Sequence, residues 1–349
     1  MKTITSKISL ASISSISIAL SAIALTSTTA NAGTYYNCAT PTGCSEVESK
    51  NARSNYNDTQ YPIVMAHGFF GWSRLIGSLD YFNGVPQTLM RNGTENVFAT
   101  KTSSVNSAEV RGEQLLSQVN TIKAITGAQK VNLIGHSQGG LDSRYVATVA
   151  PEKIASVTSV SSPHKGSKTT DFVIKVLEND QTPNKFGSKV LIASFEAVGL
   201  SLDALSGVPL NQLQQQNALN VTNSTSSENV AIFNAKYPAA LPTTYCGQPP
   251  SNNIVNGVGY YSWTGNTPLT NPLDTSDYTL SLTGLTFEGE ANDGLVGVCS
   301  SRLGYVIRDN YRMNHLDTIN QLLGITSWLE TNPLTVYSTQ VNRLKNQGY

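Results

Sequence analysis

The chain has 349 residues, enough for one large domain or two of ordinary size, and its 23 basic side chains balance 23 acidic ones. Charged residues make up only 13% of it, about half the usual share, which leaves no polyelectrolyte surface to hold nucleic acid.

The first 32 residues read as an export signal. Lys2 and Lys7 supply a basic start, residues 8–25 are apolar and serine-rich without a charge, and Ala30-Asn31-Ala32 offers a small-residue cleavage site before Gly33. The serines and the small-residue exit argue against a membrane anchor, and no later segment is long and apolar enough to span a bilayer. Cleavage removes two lysines, so the expected mature chain, residues 33–349, is a secreted, extracellular protein with a net charge of about −2. It keeps four cysteines, Cys38, Cys44, Cys246 and Cys299. An even number in an exported chain points to two disulfides. Three pairings are formally open, and Cys38 with Cys44 plus Cys246 with Cys299 is the simplest. A zinc site is the rival, but the separation of 202 positions from Cys44 to Cys246 and the lack of any C-x-x-C give it little support.

Residues 33–60 are polar and rich in Asn, Ser and Thr, a lead-in rather than a domain. Tyr61-Pro62-Ile63-Val64-Met65-Ala66 is a buried-strand run that ends at His67-Gly68-Phe69-Phe70-Gly71, where inward-turned backbone NH groups could bind an oxyanion. Leu115, Leu116, Val119, Ile122 and Ile125 recur at helical spacing over residues 110–125, and Gly127 closes that helix. A strand over 130–135 follows, then a helix from Gly139 to Val149 stopped by Pro151, then a strand over Ile154 to Val160 that leads into Ser161-Ser162-Pro163-His164-Lys165-Gly166. This alternation argues an α/β fold with a mostly parallel sheet and helices on both faces.

Between about 171 and 250 the alternation breaks, as expected of an insertion that caps the sheet rather than a separate domain. Leu191, Phe195, Val198, Leu202 and Leu205 form one apolar stripe there, which fits either a core-packed helix or a mobile lid over the site. Residues 211–229, rich in Gln, Asn and Ser, read as solvated loop, and from Tyr260 the chain returns to short strands and helices.

The pentad Gly135-His136-Ser137-Gln138-Gly139 sits between the strand and the helix that would present it. A strand entering a helix through so tight a turn admits only glycine two residues either side of the serine, and it pushes Ser137 into a strained conformation with its hydroxyl exposed. A serine hydroxyl needs a base, usually a histidine oriented by a carboxylate, and four histidines are available. His67 lies in the candidate oxyanion loop, His136 should point away from Ser137, and His164 could reach the site. The order nucleophile, acid, histidine found on α/β-hydrolase sheets favours His315. For the acid, Asp293 in the turn Asn292-Asp293-Gly294 is placed to reach a neighbouring loop, while Asp277, Glu288, Glu290 and Asp309 also lie between Ser137 and His315.

From Tyr61 to the C-terminus the chain resembles the secreted bacterial triacylglycerol lipases that depend on a membrane-anchored foldase. The resemblance runs through YPIVMAHGFFG, SEVRGEQLL, KVNLIGHSQGG, SPHKGS, NDGLVGVCSS and RDNYRMNHLDTINQ. It implies the α/β-hydrolase fold with a helical lid, Ser137 as nucleophile, Asp293 as acid, His315 as base, and the backbone NH groups of Phe69 and Gln138 as the oxyanion hole. Many relatives carry a second histidine where Gln138 stands, a difference that a backbone donor does not feel. It implies one structural calcium ion, held by the side chains of Asp274 and Asp317 and the carbonyls of Gln321 and Ile325. The family disulfide matches Cys246 with Cys299, whereas Cys38 and Cys44 fall outside the shared pattern. The activity implied is hydrolysis of long-chain acylglycerols at a lipid/water interface by a monomer that needs a foldase and a secretion route. An esterase for short soluble esters and a catalytically silent lipid-binding protein are the alternatives.

Overall fold

The computed structural model describes residues 32–40, 43–75, 78–178, 224–248, 250–321 and 323–349. Residues 1–31 of the expected export signal and the apolar stripe from Leu191 to Leu205 lie outside the described residues.

One twisted sheet organises the chain. Its strands are β1 (Ala32–Thr40), β2 (Gly43–Asn51), β3 (Ile63–Ala66), β6 (Asn96–Thr100), β7 (Val131–His136), β8 (Ile154–Val160), β9 (Ile254–Val255), β10 (Val258–Gly265) and β11 (Tyr305–Tyr311), while β4 (Arg74–Leu75) and β5 (Leu79–Asp80) form a separate small pair. The order across the sheet is β11-β10-β8-β7-β3-β6-β1-β2, with β9 on β10. Every pairing from β11 through to β1 is parallel; β2 and β9 add antiparallel edges.

Strands β7, β8 and β10 are buried along their whole length, as a parallel sheet covered on both faces requires. The period-2 geometry of β3 divides its side chains between two cores. Val64 and Ala66 join Leu115, Val119 and Ile122 of helix α2 (Ala108–Thr126) and Leu141 and Val146 of helix α3 (Gln138–Val149). Ile63 and Met65 face the other way, toward Leu89 of helix α1 (Val85–Arg91) and Val336, Val341 and Leu344 of the last helix, Pro333–Asn346. Helix α2 opens at Ser107, whose hydroxyl accepts from the Val110 NH, and closes at Gly127 with φ +70°. Its buried stripe is one residue shorter than the spacing suggests, because Ile125, in the last turn, is exposed.

Residues 33–60 contain more structure than a lead-in. The β1–β2 hairpin extends the sheet beyond β6, with Tyr35 and Cys38 fully buried and Tyr36 stacked on Phe98 at 4.6 Å between ring centroids. Two register shifts, at Tyr35/Tyr36 and between Asn37 and Thr40, break the alternation that would have marked β1 as a strand. The Cys38–Cys44 disulfide closes this hairpin, and Cys246–Cys299 forms as well. Helix α4 (Lys168–Glu178) and the helix Ser227–Lys236 lie on either side of the undescribed part of the insertion. Residues 227–229, read above as loop, open the second of these behind a Ser226 cap that accepts from the Asn229 NH.

Candidate active site

Ser137 stands at the C-terminal end of β7, in the middle of the sheet, where β3 and β8 flank it. Its backbone has φ +54° and ψ −128°, in the left-handed half of conformational space that L-residues avoid. Two bonds hold it there: its NH donates to Val160 O at 2.9 Å, and its carbonyl accepts the Gly140 NH at 3.0 Å. A Cβ on Gly135 would collide with the backbone of Gly139, and one on Gly139 with the backbone of Ala66, which is the steric reason for the two glycines of the pentad. Gln138 is the first residue of α3, so its NH has no partner inside the helix and carries the positive end of the helix dipole. Its side chain is buried and donates to Asn106 O at 2.7 Å, leaving the backbone donor independent of side-chain identity.

The loop after β3 lies directly against the serine. A Cβ on Gly68 would sit 2.7 Å from Ser137 Cβ, and Phe69, the next residue, lines the same cavity as Ser137 and His315. That cavity has a volume of about 440 Å³ and walls that include Phe70, Trp72, Val173, Leu295, Val296, Leu316 and Ile319, so it presents hydrocarbon and aromatic surface to whatever enters.

His315 follows β11 and Asp293 follows the helix Thr275–Gly284. The structure brings the two together: His315 Nδ1 is 2.8 Å from Asp293 Oδ2, and the His315 NH donates to the Asp293 carbonyl at 2.8 Å. Asp293 is fully buried, and its other oxygen accepts the NH groups of Leu295 at 3.0 Å and Val296 at 2.8 Å. These donors fix the plane of the carboxylate. Gly294, at φ +100° and with no room for a Cβ beside Leu280, makes the turn possible. The competing acids are engaged elsewhere. Asp309 pairs with Arg302, Glu290 with Lys168, Asp277 accepts from Thr270, Asn271 and Asn314, and Glu288 is exposed.

The other three histidines are buried and have both ring nitrogens occupied. His67 Nδ1 donates to Gly68 O at 2.8 Å, while its Nε2 accepts the Thr102 NH. His164 Nδ1 accepts from Arg144, which can only donate, so its Nε2 donates to Ser159 Oγ at 2.6 Å. Burial, and then the neighbouring Arg144 and Lys165, hold His164 neutral well below the usual imidazole range. His164 therefore faces away from Ser137 and braces the loop after β8. His136 lies between Tyr81 and the His315 carbonyl, turned from the serine as its place in the elbow requires.

Residues 61–185 match the alpha/beta hydrolase fold family. Over 297 residues, 85% of this chain and 91% of the relative, the sequence is 47% identical to a triacylglycerol lipase of Vibrio cholerae serotype O1. It is 42% identical to a triacylglycerol lipase of Pseudomonas fragi, with 83% of this chain and 98% of the relative covered. The chain belongs to the triacylglycerol lipase family. Solved structures of a mature Bacillus licheniformis lipase (TM-score 0.52, 19% identity, 82% of this chain and 92% of that one) and of a metagenomic carboxyl esterase (TM-score 0.54, 15% identity, 83% and 76%) share the fold.

Behind the histidine loop the lipase carries two buried carboxylates, each with one satisfied oxygen and one free. Asp274 Oδ1 accepts from Ser276 and Asp317 Oδ2 from Thr270 and the Asn314 NH, whereas Asp274 Oδ2 and Asp317 Oδ1 have no donor. Burial, with Asp277 and Asp274 adding like charge, pushes the Asp317 carboxyl up to about 7. Two unsatisfied anionic oxygens in such a place suit a hard cation. Among the described residues no group of three or more His, Cys, Asp or Glu could hold a metal, so carbonyl oxygens would have to complete the shell. Ile325 lies beside the cleft that Asn271 lines, and the Gln321 side chain ties its segment to the carbonyls of Asp80 and Tyr81.

One structural group of the lipase escaped the sequence reading. Arg111 and Asp142 form a fully buried ion pair, and the same guanidinium donates to the carbonyls of Ser103 and His67, the latter at 2.6 Å. It thereby clamps the loop that carries Gly68 and Phe69 to helices α2 and α3. The signal was available: Arg111 and Gln118 fall on the apolar face of α2 with Leu115, Val119 and Ile122.

Proposed function

We propose that this lipase hydrolyses long-chain acylglycerols in two acyl-transfer steps at Ser137. The serine oxygen attacks the ester carbonyl while His315 Nε2 takes its proton, and the tetrahedral oxyanion is held by the NH groups of Phe69 and Gln138. His315 then gives the proton to the departing alcohol, and water releases the fatty acid by the same route. Asp293 holds Nδ1–H, which leaves Nε2 free to act and stabilises the imidazolium once formed. What carries the assignment is one juxtaposition: a strained serine at a helix N-terminus and a carboxylate-paired histidine share one apolar cavity, while the three remaining histidines are spent on internal bonds.

A structural calcium ion between Asp274 and Asp317, with carbonyls of Gln321 and Ile325, fits the two donor-less oxygens. It would tie the segment after His315 to the start of the helix that precedes Asp293, and no chemical step passes through it. Export of a chain beginning near Gly33 accords with two disulfides, which persist in oxidising compartments. The resemblance of the sequence to foldase-dependent lipases supports a foldase as its folding partner.

Diethyl p-nitrophenyl phosphate tests the serine assignment. It should leave one adduct on the wild-type chain, located at Ser137 by peptide mass spectrometry, and none on Ser137→Ala. An adduct at another serine with activity abolished would overturn it.

A further inference from the structure

We infer that Tyr81 and His136 form a positioning bridge that sets the oxyanion loop and the catalytic histidine at a fixed distance from each other. The inference rests on the Ser137 mechanism above and adds to it two residues outside the triad, of which Tyr81 also lines the cavity that Ser137 and His315 share.

The bridge runs through one unbroken series of hydrogen bonds. The Gly68 NH, one residue before Phe69, donates to Tyr81 Oη at 3.1 Å. Tyr81 Oη lies 2.7 Å from His136 Nδ1, and His136 Nε2 lies 3.0 Å from the His315 carbonyl. Only one arrangement of protons satisfies it. A carbonyl oxygen can only accept, so His136 must carry its proton on Nε2, and its bare Nδ1 must then accept the Tyr81 hydroxyl proton. Every donor in the series points the same way, from Gly68 toward His315, a head-to-tail order in which each bond polarises the next.

Both side chains are held in that state by their surroundings. Burial, and then the proximity of His315, depress the His136 imidazole well below its usual range. Trp72 and Phe82 meet the Tyr81 ring edge-on at 5.3 and 5.2 Å and pack against it. At the far end the His315 backbone is clamped on both sides. Its NH goes to Asp293 O, and its carbonyl receives His136 Nε2 together with Thr318 Oγ1 at 2.8 Å. The x residue of the G-x-S-x-G pentad is thus the link through which the nucleophile's own strand grips the histidine loop.

Tyr81→Phe keeps the ring and its packing and deletes one oxygen, stranding the Gly68 NH and His136 Nδ1 together. The experiment measures kcat and KM on p-nitrophenyl butyrate, and the rate at which diethyl p-nitrophenyl phosphate phosphorylates Ser137, for wild type, Tyr81→Phe, His136→Ala and the double variant. Loss of alignment predicts that Tyr81→Phe lowers kcat and the phosphorylation rate in parallel by roughly 10- to 100-fold with KM within about twofold. It also predicts that the double variant is no slower than the slower single one, because both act through one bridge. Wild-type rates in Tyr81→Phe would overturn the inference, as would losses that multiply in the double variant. If His136→Ala does not fold, the isosteric Tyr81→Phe alone decides. A wild-type protein that takes no phosphoryl group at Ser137 would instead overturn the serine mechanism on which the bridge depends.

Discussion

Asp293→Asn separates the carboxylate's chemistry from its structural bonds. Asn can keep an oxygen facing the Leu295 and Val296 NH groups, which lie 3.0 and 2.8 Å from Oδ1, so the turn should survive. The amide nitrogen then takes the place of Oδ2, 2.8 Å from His315 Nδ1. Two donors cannot face each other, so the imidazole must present a bare Nδ1 to the amide and carry its proton on Nε2, the nitrogen that should accept from Ser137. The wrong tautomer costs roughly 10⁴-fold in kcat, or about 5.5 kcal/mol in the barrier. Asp293→Ala should lose a comparable factor in turnover and, because it also strands two buried NH groups, a further ~1–3 kcal/mol of stability per group that finds no water. Turnover of p-nitrophenyl butyrate and urea unfolding of the three proteins supply the comparison. An Asn variant within tenfold of wild-type kcat would refute the tautomer argument; an Asn variant as unstable as the Ala one would refute the structural half.

Chelation by EDTA should lower the melting temperature measured by calorimetry. An ion held at 100-fold over its Kd contributes about 2.7 kcal/mol. Asp317→Asn should melt at the same temperature with and without EDTA, and a wild-type protein indifferent to EDTA would remove the calcium assignment. Burial raises the Asp142 carboxyl to about 7 from its ordinary 3.8, with Arg111 opposing. An acid whose folded-state pKa is raised weakens the fold as it ionises, so stability should fall as pH rises between about 4 and 7. Asp142→Asn should flatten that slope in urea titrations across the window; an unchanged slope would contradict it. The 53-residue separation of Cys246 and Cys299 makes their bridge worth about 4 kcal/mol on chain entropy, against about 2 kcal/mol for the six-residue separation of Cys38 and Cys44. Replacing each pair by serine and comparing urea midpoints would reverse this account if the hairpin pair proved the more costly.

The central sheet was legible because parallel strands buried on both faces leave continuous apolar runs, as at Val131-Asn132-Leu133-Ile134 and over Ile154 to Val160. The β1–β2 hairpin was not, since its bulges and its polar outer face erase any period. Steric necessity made the elbow readable: Gly135 and Gly139 have neighbours where a side chain would go, and that constraint is local to the sequence. Choosing among the acids was different in kind. Asp277 and Glu290 are set aside by Asn314 and Lys168, which lie far along the chain and come near only in the folded structure, and Asp309 by Arg302, seven residues before it. The same holds for Tyr81. Nothing around it in the sequence marks it as the acceptor of the Gly68 NH or the donor to His136, which are 13 and 55 residues away.

Hydrolysis of an emulsified long-chain triacylglycerol, measured against a soluble p-nitrophenyl butyrate control for the wild type and for Ser137→Ala, tests the account most directly. The wild type should release fatty acid from the emulsion, and Ser137→Ala should be slower by roughly 10⁴- to 10⁶-fold on both substrates while unfolding at the same urea concentration. Near-normal fatty acid release by Ser137→Ala would contradict the serine mechanism, and a wild-type protein that cuts only the soluble ester would contradict its assignment to long-chain acylglycerols.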